Sequence, residues 1–326
     1  MGNINIIGVG TPVSDHIAKV AAFPQTGESV RMIAESFQFG GKTASAVAAA
    51  ARLGESCAMI GPVGGDPEGR ANIADLKRHN VDTSHIIVDN MSPTGTSIVI
   101  CDDATGSRTI FASNRNTRRP QPGDLDEAFI KGAKILLIDK PDDASKLAAK
   151  WMREAGGKVV YGGDRLLEGS AEMLAYIDVL IASDYYMTGM FGNGTDPLEA
   201  AGQLLAQGPE AVIITLGSKG CVGVSGEGAF ALPAYRIEPV DTTGAGDVFH
   251  GAFAYARLRG MSVWESARFS SAASAIKCLA IGGRAGMPTA AMVERFMHDG
   301  FVDMGILRRR EEFYRNKGDL SEEFAD

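Results

Sequence analysis

The sequence predicts an α/β fold: a central, mostly parallel sheet covered by helices on both faces, with a small β-sheet standing apart from it as a lid. Three observations predict it. Short β-rich runs alternate with alanine-rich helical stretches, the signature of parallel strands joined by crossover helices. Glycine or proline punctuates most of the junctions, as βα turns require. Two stretches, about 12–38 and 94–113, break the alternation and read as extended segments instead.

Strands are expected at 4–9, 57–61, 135–138, 159–161, 179–182, 211–216 and 220–225, and helices at 43–53, 67–79, 144–155, 197–205, 248–257, 263–280 and 289–297. In the exceptional stretches, Ser97-Ile98-Val99-Ile100 and Arg108-Thr109-Ile110-Phe111 flank a hairpin-like turn at 102–107. A β-flap there would cover the crevice outside the carboxyl ends of the strands, where α/β sheets bind ligands. A hairpin that only extends the sheet is the alternative. Residues 1–306 form one domain on this reading. The remaining 307–326, with Arg308-Arg309-Arg310-Glu311-Glu312, form a charged tail that makes a surface helix or frays.

At 326 residues and 45% hydrophobic content the chain can bury one large core. A formal charge of −8 supplies no net positive field, which argues against nucleic acid or an anionic membrane as the main partner. Any anionic ligand must then be held by local donors. Cys57, Cys101, Cys221 and Cys278 lie far apart without Cys-x-x-Cys spacing, suggesting neither a disulfide framework nor a zinc site, and a reducing cytoplasm. No run approaches the roughly 20 apolar residues of a membrane span, and the first ten residues carry no basic segment of a signal peptide.

The chemistry concentrates in Asp241-Thr242-Thr243-Gly244-Ala245-Gly246-Asp247, followed by an apolar helical run. A Gly-x-Gly turn opening a helix gathers unpaired N–H groups and the positive end of the helix dipole, which suits phosphate oxygens. A carboxylate at the same point would repel phosphate, but Asp247 there suits a general base that takes a proton from an attacking hydroxyl. The seven residues therefore read as a phosphoryl-transfer site. Gly40-Gly41-Lys42 opens an alanine-rich helix and is either a packing turn or a place where ligand approaches backbone. Its spacing is not that of a Walker loop. Asp15, beyond the first strand, could accept hydrogen bonds from vicinal sugar hydroxyls or cap a turn. Thr215-Leu216-Gly217-Ser218-Lys219-Gly220 is a further strand-then-glycine turn, suited to a nucleotide or to an ordinary hairpin.

These four sites, in this order, resemble the ribokinase family, the PfkB carbohydrate kinases. Asp241 to Asp247 is similar to the family's C-terminal signature almost without change. Phe39-Gly40-Gly41 and Ala50-Ala51-Arg52-Leu53-Gly54 resemble the N-terminal one, Gly61-Pro62-Val63-Gly64-Gly65-Asp66 the turn after it, and 282–288 the loop that closes over adenine. The resemblance implies a ribokinase-like three-layer α/β/α domain with a β-lid, and transfer of the ATP γ-phosphate to a sugar hydroxyl with Mg²⁺. Asp247 would be the base, and Gly244, Ala245, Gly246 and Asp247 would supply the anion-hole amides. Asp15, Gly40 and Gly41 would face the sugar, and Thr215, Gly217, Gly220 and Ser271 the nucleotide. Asp241 and Thr243 would ligate a monovalent cation, K⁺.

The sequence departs from the family pattern at three places. Ser45 stands where asparagine is usual, so the sugar hydroxyls contacted there differ. The Asn-x-x-Glu motif linked to magnesium falls on Ser183 and Tyr186, with Asp184 a neighbouring carboxylate for Mg²⁺. His250 replaces a common asparagine and reads as a packed residue or a ligand. An ATP-dependent kinase of a small sugar or sugar acid leads; a nucleoside kinase of the same family, or a sugar-binding regulator without catalysis, are the alternatives. Lys42 and Arg108, if the flap turns them inward, would favour an anionic acceptor. The flap's open strand edges suggest a homodimer.

Overall fold

A computed structural model describes residues 3–105, 107–113 and 116–315. Strands β1 (Ile6–Val9), β2 (Val13–Val20) and β3 (Met32–Gly40) precede helix α1 (Lys42–Arg52). Then come β4 (Cys57–Gly64), α2 (Pro67–Arg78), β5 (Val81–Asp82), β6 (Ile86–Asp89), β7 (Gly95–Asp102) and β8 (Arg108–Ser113). The chain continues through α3 (Glu127–Lys131), β9 (Ile135–Ile138), α4 (Asp143–Glu154), β10 (Lys158–Gly163), α5 (Ser170–Met173), β11 (Val179–Ser183), α6 (Asp184–Phe191) and α7 (Pro197–Leu205). It closes with β12 (Ala211–Thr215), β13 (Cys221–Ser225), β14 (Gly228–Leu232), α8 (Ala245–Leu258), α9 (Val263–Lys277), α10 (Ala290–Asp299) and α11 (Met304–Arg315).

The large sheet runs β14-β13-β12-β11-β10-β9-β1-β4-β5, with β6 on β4; only the pairs made by β13 are antiparallel. Its strands are apolar on both faces because both are covered. Ile6 points into a core shared with α1, α8, α9 and α10, while the next residue, Ile7, points into one shared with α4 and α7. That alternation produces three layers. The second sheet, β3-β2-β7-β8, is separate, so the flap reading holds over the sheet-extension alternative.

Small residues set the helix contact that matters most. In α1, Ala44, Ala46 and Ala48 to Ala51 are buried, and α8 approaches so closely that a Cβ at Gly251 would meet the Ala46 carbonyl oxygen at 2.0 Å. The same close packing brings the N-termini of α1 and α8 together below the lid.

Three expectations change. Helix α9 stops at Lys277 rather than 280, since the chain turns at Gly282, which has a φ of +79°. The short strands β5, β6 and β14 and the helix α6 were not expected. Of the charged tail expected from 307 onward as a surface helix or a frayed end, 307–315 are helical within α11, but Leu307, Arg310 and Tyr314 share one buried face rather than lying on the surface. The Tyr314 hydroxyl donates to Asp75 Oδ1 at 2.6 Å, and Arg310 donates to the Met287 carbonyl at 2.6 Å. The rest of that tail, 316–326, lies outside the described residues, as does Gly106 in the expected 102–107 turn.

Candidate active site

Parallel strands in register place their carboxyl ends along one edge: Val9 and Tyr161 both pair with Ile138, Gly163 with Ala182, and Ser183 with Thr215. Residues that directly follow these strands therefore share one rim. Above that rim stand the N-termini of α1 and α8 and the inner face of the lid.

The turn before α8 is the expected anion hole. Gly244 caps the helix with a φ of +76°, a conformation that disfavours any side chain. The Ala245 N–H donates to the Thr242 carbonyl at 3.2 Å, so this amide is engaged within the turn rather than offered to a ligand. The amides of Gly246 and Asp247 follow in the first turn, where a helix provides no internal acceptor. Asp247 is half-buried. Burial raises its pKa from 3.8 to about 7; Lys42 and Arg108 oppose the rise, while Asp139 and Asp164 add to it. Those same four charged groups are the electrostatic surroundings of the base.

Lys42 opens α1 after Gly41, whose φ is +85° and whose Cβ would lie 2.3 Å from the Thr11 carbonyl oxygen. The Lys42 ammonium lies 2.7 Å from Asp164 Oδ2. Burial pushes the Asp164 carboxyl up, but Lys42, helped by Arg165 and Lys140, holds the group below the ordinary range. One residue further, Thr43 donates its hydroxyl to Asp139 Oδ1 at 2.7 Å. Arg108 at the start of β8 donates to the Thr242 hydroxyl at 3.0 Å, so the lid touches the anion-hole turn directly. Asp15 on β2 accepts from the Ser97 hydroxyl at 2.5 Å, and a side chain at Gly40 would collide with it. Burial raises the Asp15 pKa to about 6 against the pull of Ser97 and Arg284. A cleft of about 210 Å³ lies between rim and lid, lined among others by Gly10, Gly41, Lys42, Arg119, Asp139 and Lys140.

The 215–220 turn, expected to meet a nucleotide, follows β12 further along the same rim. The Thr215 hydroxyl donates to the Ala182 carbonyl at 3.2 Å, and Gly217 and Gly220 have φ of +58° and +98°. A Cβ at Gly220 would meet the Leu232 carbonyl oxygen at 2.0 Å, so the turn packs on the strand end that leads into a second pocket, lined by Pro233, Tyr235, Trp264 and Ser271.

The structure thus brings together Asp247, Lys42, Arg108 and the two glycine turns, with Thr215, Gly217, Gly220 and Ser271 alongside. Two expected residues fall elsewhere. Ser45 is only 1% exposed, enclosed where α1 packs, and does not line the cleft. Asp184 is exposed at the start of α6 with Oδ1 accepting from the Tyr185 N–H at 2.9 Å. Its neighbour Tyr186 is core, packed on Gly163. His250 is a packed residue: burial, then Lys42, lowers its pKa to about 4, and it bonds to the Ile181 backbone. Asp139 and Asp164 were missed, although each directly follows a parallel strand, which is the signal that could have found them. Asp241 is buried, with every oxygen engaged: Oδ1 accepts from the Thr243 N–H and hydroxyl, both at 2.8 Å, Oδ2 from the Gly282 N–H at 2.7 Å, and its carbonyl from the Lys277 ammonium at 2.8 Å.

A doubly covered parallel sheet with a separate β-lid, and a carboxylate in the first turn of a helix opened by Gly-Ala-Gly, is the arrangement of a phosphotransferase of the sugar-kinase class. The chain belongs to the pfkB family of carbohydrate kinases, whose model matches residues 4–290. It is 30% identical to the ribokinase of Haemophilus influenzae over 289 residues, 86% of this chain and 94% of that one. Among solved structures it resembles Thermotoga maritima ribokinase, with a TM-score of 0.79 and 27% identity over 91% of this chain and all of that one. Arabidopsis thaliana ribokinase complexed with ribose and ATP shares the fold at a TM-score of 0.76 and 24% identity, over 91% and 99% of the two chains.

Proposed function

We propose that this protein transfers the γ-phosphate of ATP to a primary hydroxyl of a pentose-type sugar. The observation that carries the reading is Asp247, a carboxylate with a pKa near 7 at the N-terminus of α8, flanked by Lys42 and Arg108. The sugar lies in the cleft below the lid, its hydroxyls on Asp139 and against the bare backbone of Gly41, with Asp15 and Gly40, which touch each other, on the side of a neighbouring cavity. Adenine lies against the 215–220 turn and Ser271. Asp247 takes the hydroxyl proton as the sugar oxygen bonds to the γ-phosphorus, and the bond to the β-phosphate oxygen breaks to release ADP. Lys42, Arg108 and the amides of Gly246 and Asp247 face the charge that spreads over the transferring group. Mg²⁺ takes oxygen ligands, largely phosphates and waters, and needs one or two carboxylates. Asp164, held ionised, fits that demand on the rim, with Asp184 further along; bound there, the ion neutralises phosphate charge.

A second acceptor class is favoured by one observation. Arg119 and Lys140 line the sugar cleft with Lys42, and would pair with a sugar carrying an anionic substituent. ADP release measured over neutral pentoses, hexoses, sugar acids and sugar phosphates separates the two. Replacing Asp247 with Ala should lower turnover by about 10³-fold or more while nucleotide binding persists. Near-normal turnover in that variant would refute the assignment.

The protein acts in the cytoplasm on this reading, in keeping with four buried, unbridged cysteines. Among the described residues no helix is long and apolar enough to cross a membrane. A homodimer through the lid is supported by Ile98 and Phe111, paired across β7 and β8 and 49% and 55% exposed.

A further inference from the structure

Lys277, the last residue of α9, is 0% exposed, and its ammonium donates to the Asp241 main-chain oxygen at 2.8 Å. A buried ammonium is costly unless paired. Its counter-charge is the Asp241 carboxylate: burial acts to raise that pKa, but the Lys277 charge, with hydrogen bonds from Thr243 and Gly282, holds it low. The other titratable groups facing this point are the thiols of Cys101 on β7 and Cys278 after α9, both pushed up, chiefly by burial, Arg108 of the lid, and the Asp15 carboxyl on β2, which Asp241 helps to raise.

The resemblance to carbohydrate kinases places a monovalent cation on Asp241 and Thr243. The donor set does not fit one. Three hydrogen bonds from Thr243 and Gly282 occupy the carboxylate, and the main-chain oxygen is taken by a group already carrying a positive charge. A dissolved cation would have to displace that ammonium or share its oxygen against like-charge repulsion.

We infer that Lys277 is the built-in cation of this site, a positioning residue whose tethered ammonium fixes the 241–244 turn and makes the anion hole independent of K⁺. Asp241 and Gly244 are three residues apart, so a charge anchored on one end of the turn sets where the amides that open α8 point. A tethered cation is always present, whereas a dissolved one must be bound from solution at the expense of its hydration.

The consequence for turnover rests on the kinase reading; the cation-binding part does not. Turnover and thermal midpoint are measured in choline chloride and in KCl at equal ionic strength, for the wild type, Lys277→Met and Lys277→Arg. The wild type should change turnover by less than about twofold between the salts, and its midpoint should not move specifically with K⁺. Lys277→Met should lose about 100-fold in kcat in choline, with a smaller change in KM, and recover at least tenfold with K⁺ or NH₄⁺. A merely structural lysine would give no cation-specific rescue. Activation of the wild type by K⁺ of tenfold or more, or K⁺-specific stabilisation of it, would overturn the inference. So would a folded Lys277→Met enzyme with full activity in choline. If Lys277→Met does not fold, Lys277→Arg and the wild-type salt comparison still decide. Absence of turnover with every sugar would count against the kinase reading instead, leaving the thermal comparison to judge Lys277.

Discussion

Asp247 is expected to set the pH dependence of turnover. Its folded-state pKa of about 7 lies above the ordinary 3.8, and burial is the largest cause. The base must be ionised, so kcat/KM should climb with pH through about 7 and level off above it. A profile flat from pH 6 to 8 would contradict this. The same shift has a stability counterpart of fixed sign. The raised pKa contributes stability that is fully present below the unfolded value and is lost as pH rises through about 7. Asp247→Asn should therefore have a higher thermal midpoint than the wild type at pH 8, by about 2 °C or more, with the gap closing at pH 4.

Gly41 makes a second residue-scale prediction. Its positive φ and the Thr11 carbonyl 2.3 Å from any Cβ leave no room for a side chain. Gly41→Ala should cost about 2 kcal/mol or more, read by urea denaturation. It should also depress turnover, because the α1 N-terminus and Lys42 must shift.

The elements differ in how well their residues announce them. Strands β1, β9, β11 and β12 are legible because a strand buried on both faces is a short run of Val, Ile and Leu, and the lid strands because they alternate. The site turns are legible because glycines at positive φ are required there. Asp139 and Asp164 were hidden: each is a lone acid after a strand, and its partner, Thr43 or Lys42, comes from a turn about 100 residues away. Ser45 misled because its role rests on side-chain direction, which packing of α1 decides. Helix α11 was read as tail because charge dominates its composition. Its buried face combines Leu307 with Arg310 and Tyr314, whose polar ends meet Met287 and Asp75 inside the protein. Tyr314→Phe should lower stability by about 1.5–3 kcal/mol, since it removes a hydrogen bond to a buried carboxylate. An unchanged urea midpoint would show that α11 is peripheral.

The whole molecule joins two functions across one cleft. On the proposed function the rim of the large sheet and the helix N-termini would supply phosphate chemistry, while the lid would supply Asp15 and Arg108 to the sugar side. The lid touches the turn before α8 through the hydrogen bond from Arg108 to Thr242. The exposed lid face should make the protein a dimer in gel filtration, with Phe111→Lys shifting it to monomer; a monomeric wild type would remove this part of the account. The most direct test of the central claim is ADP release by wild type and Asp247→Ala over a panel of pentoses, hexoses, sugar acids and sugar phosphates. The wild type should release ADP in a sugar-dependent way, and Asp247→Ala should abolish that release without losing ATP binding. Release of equal size in the variant, or none from the wild type with any sugar, would contradict it.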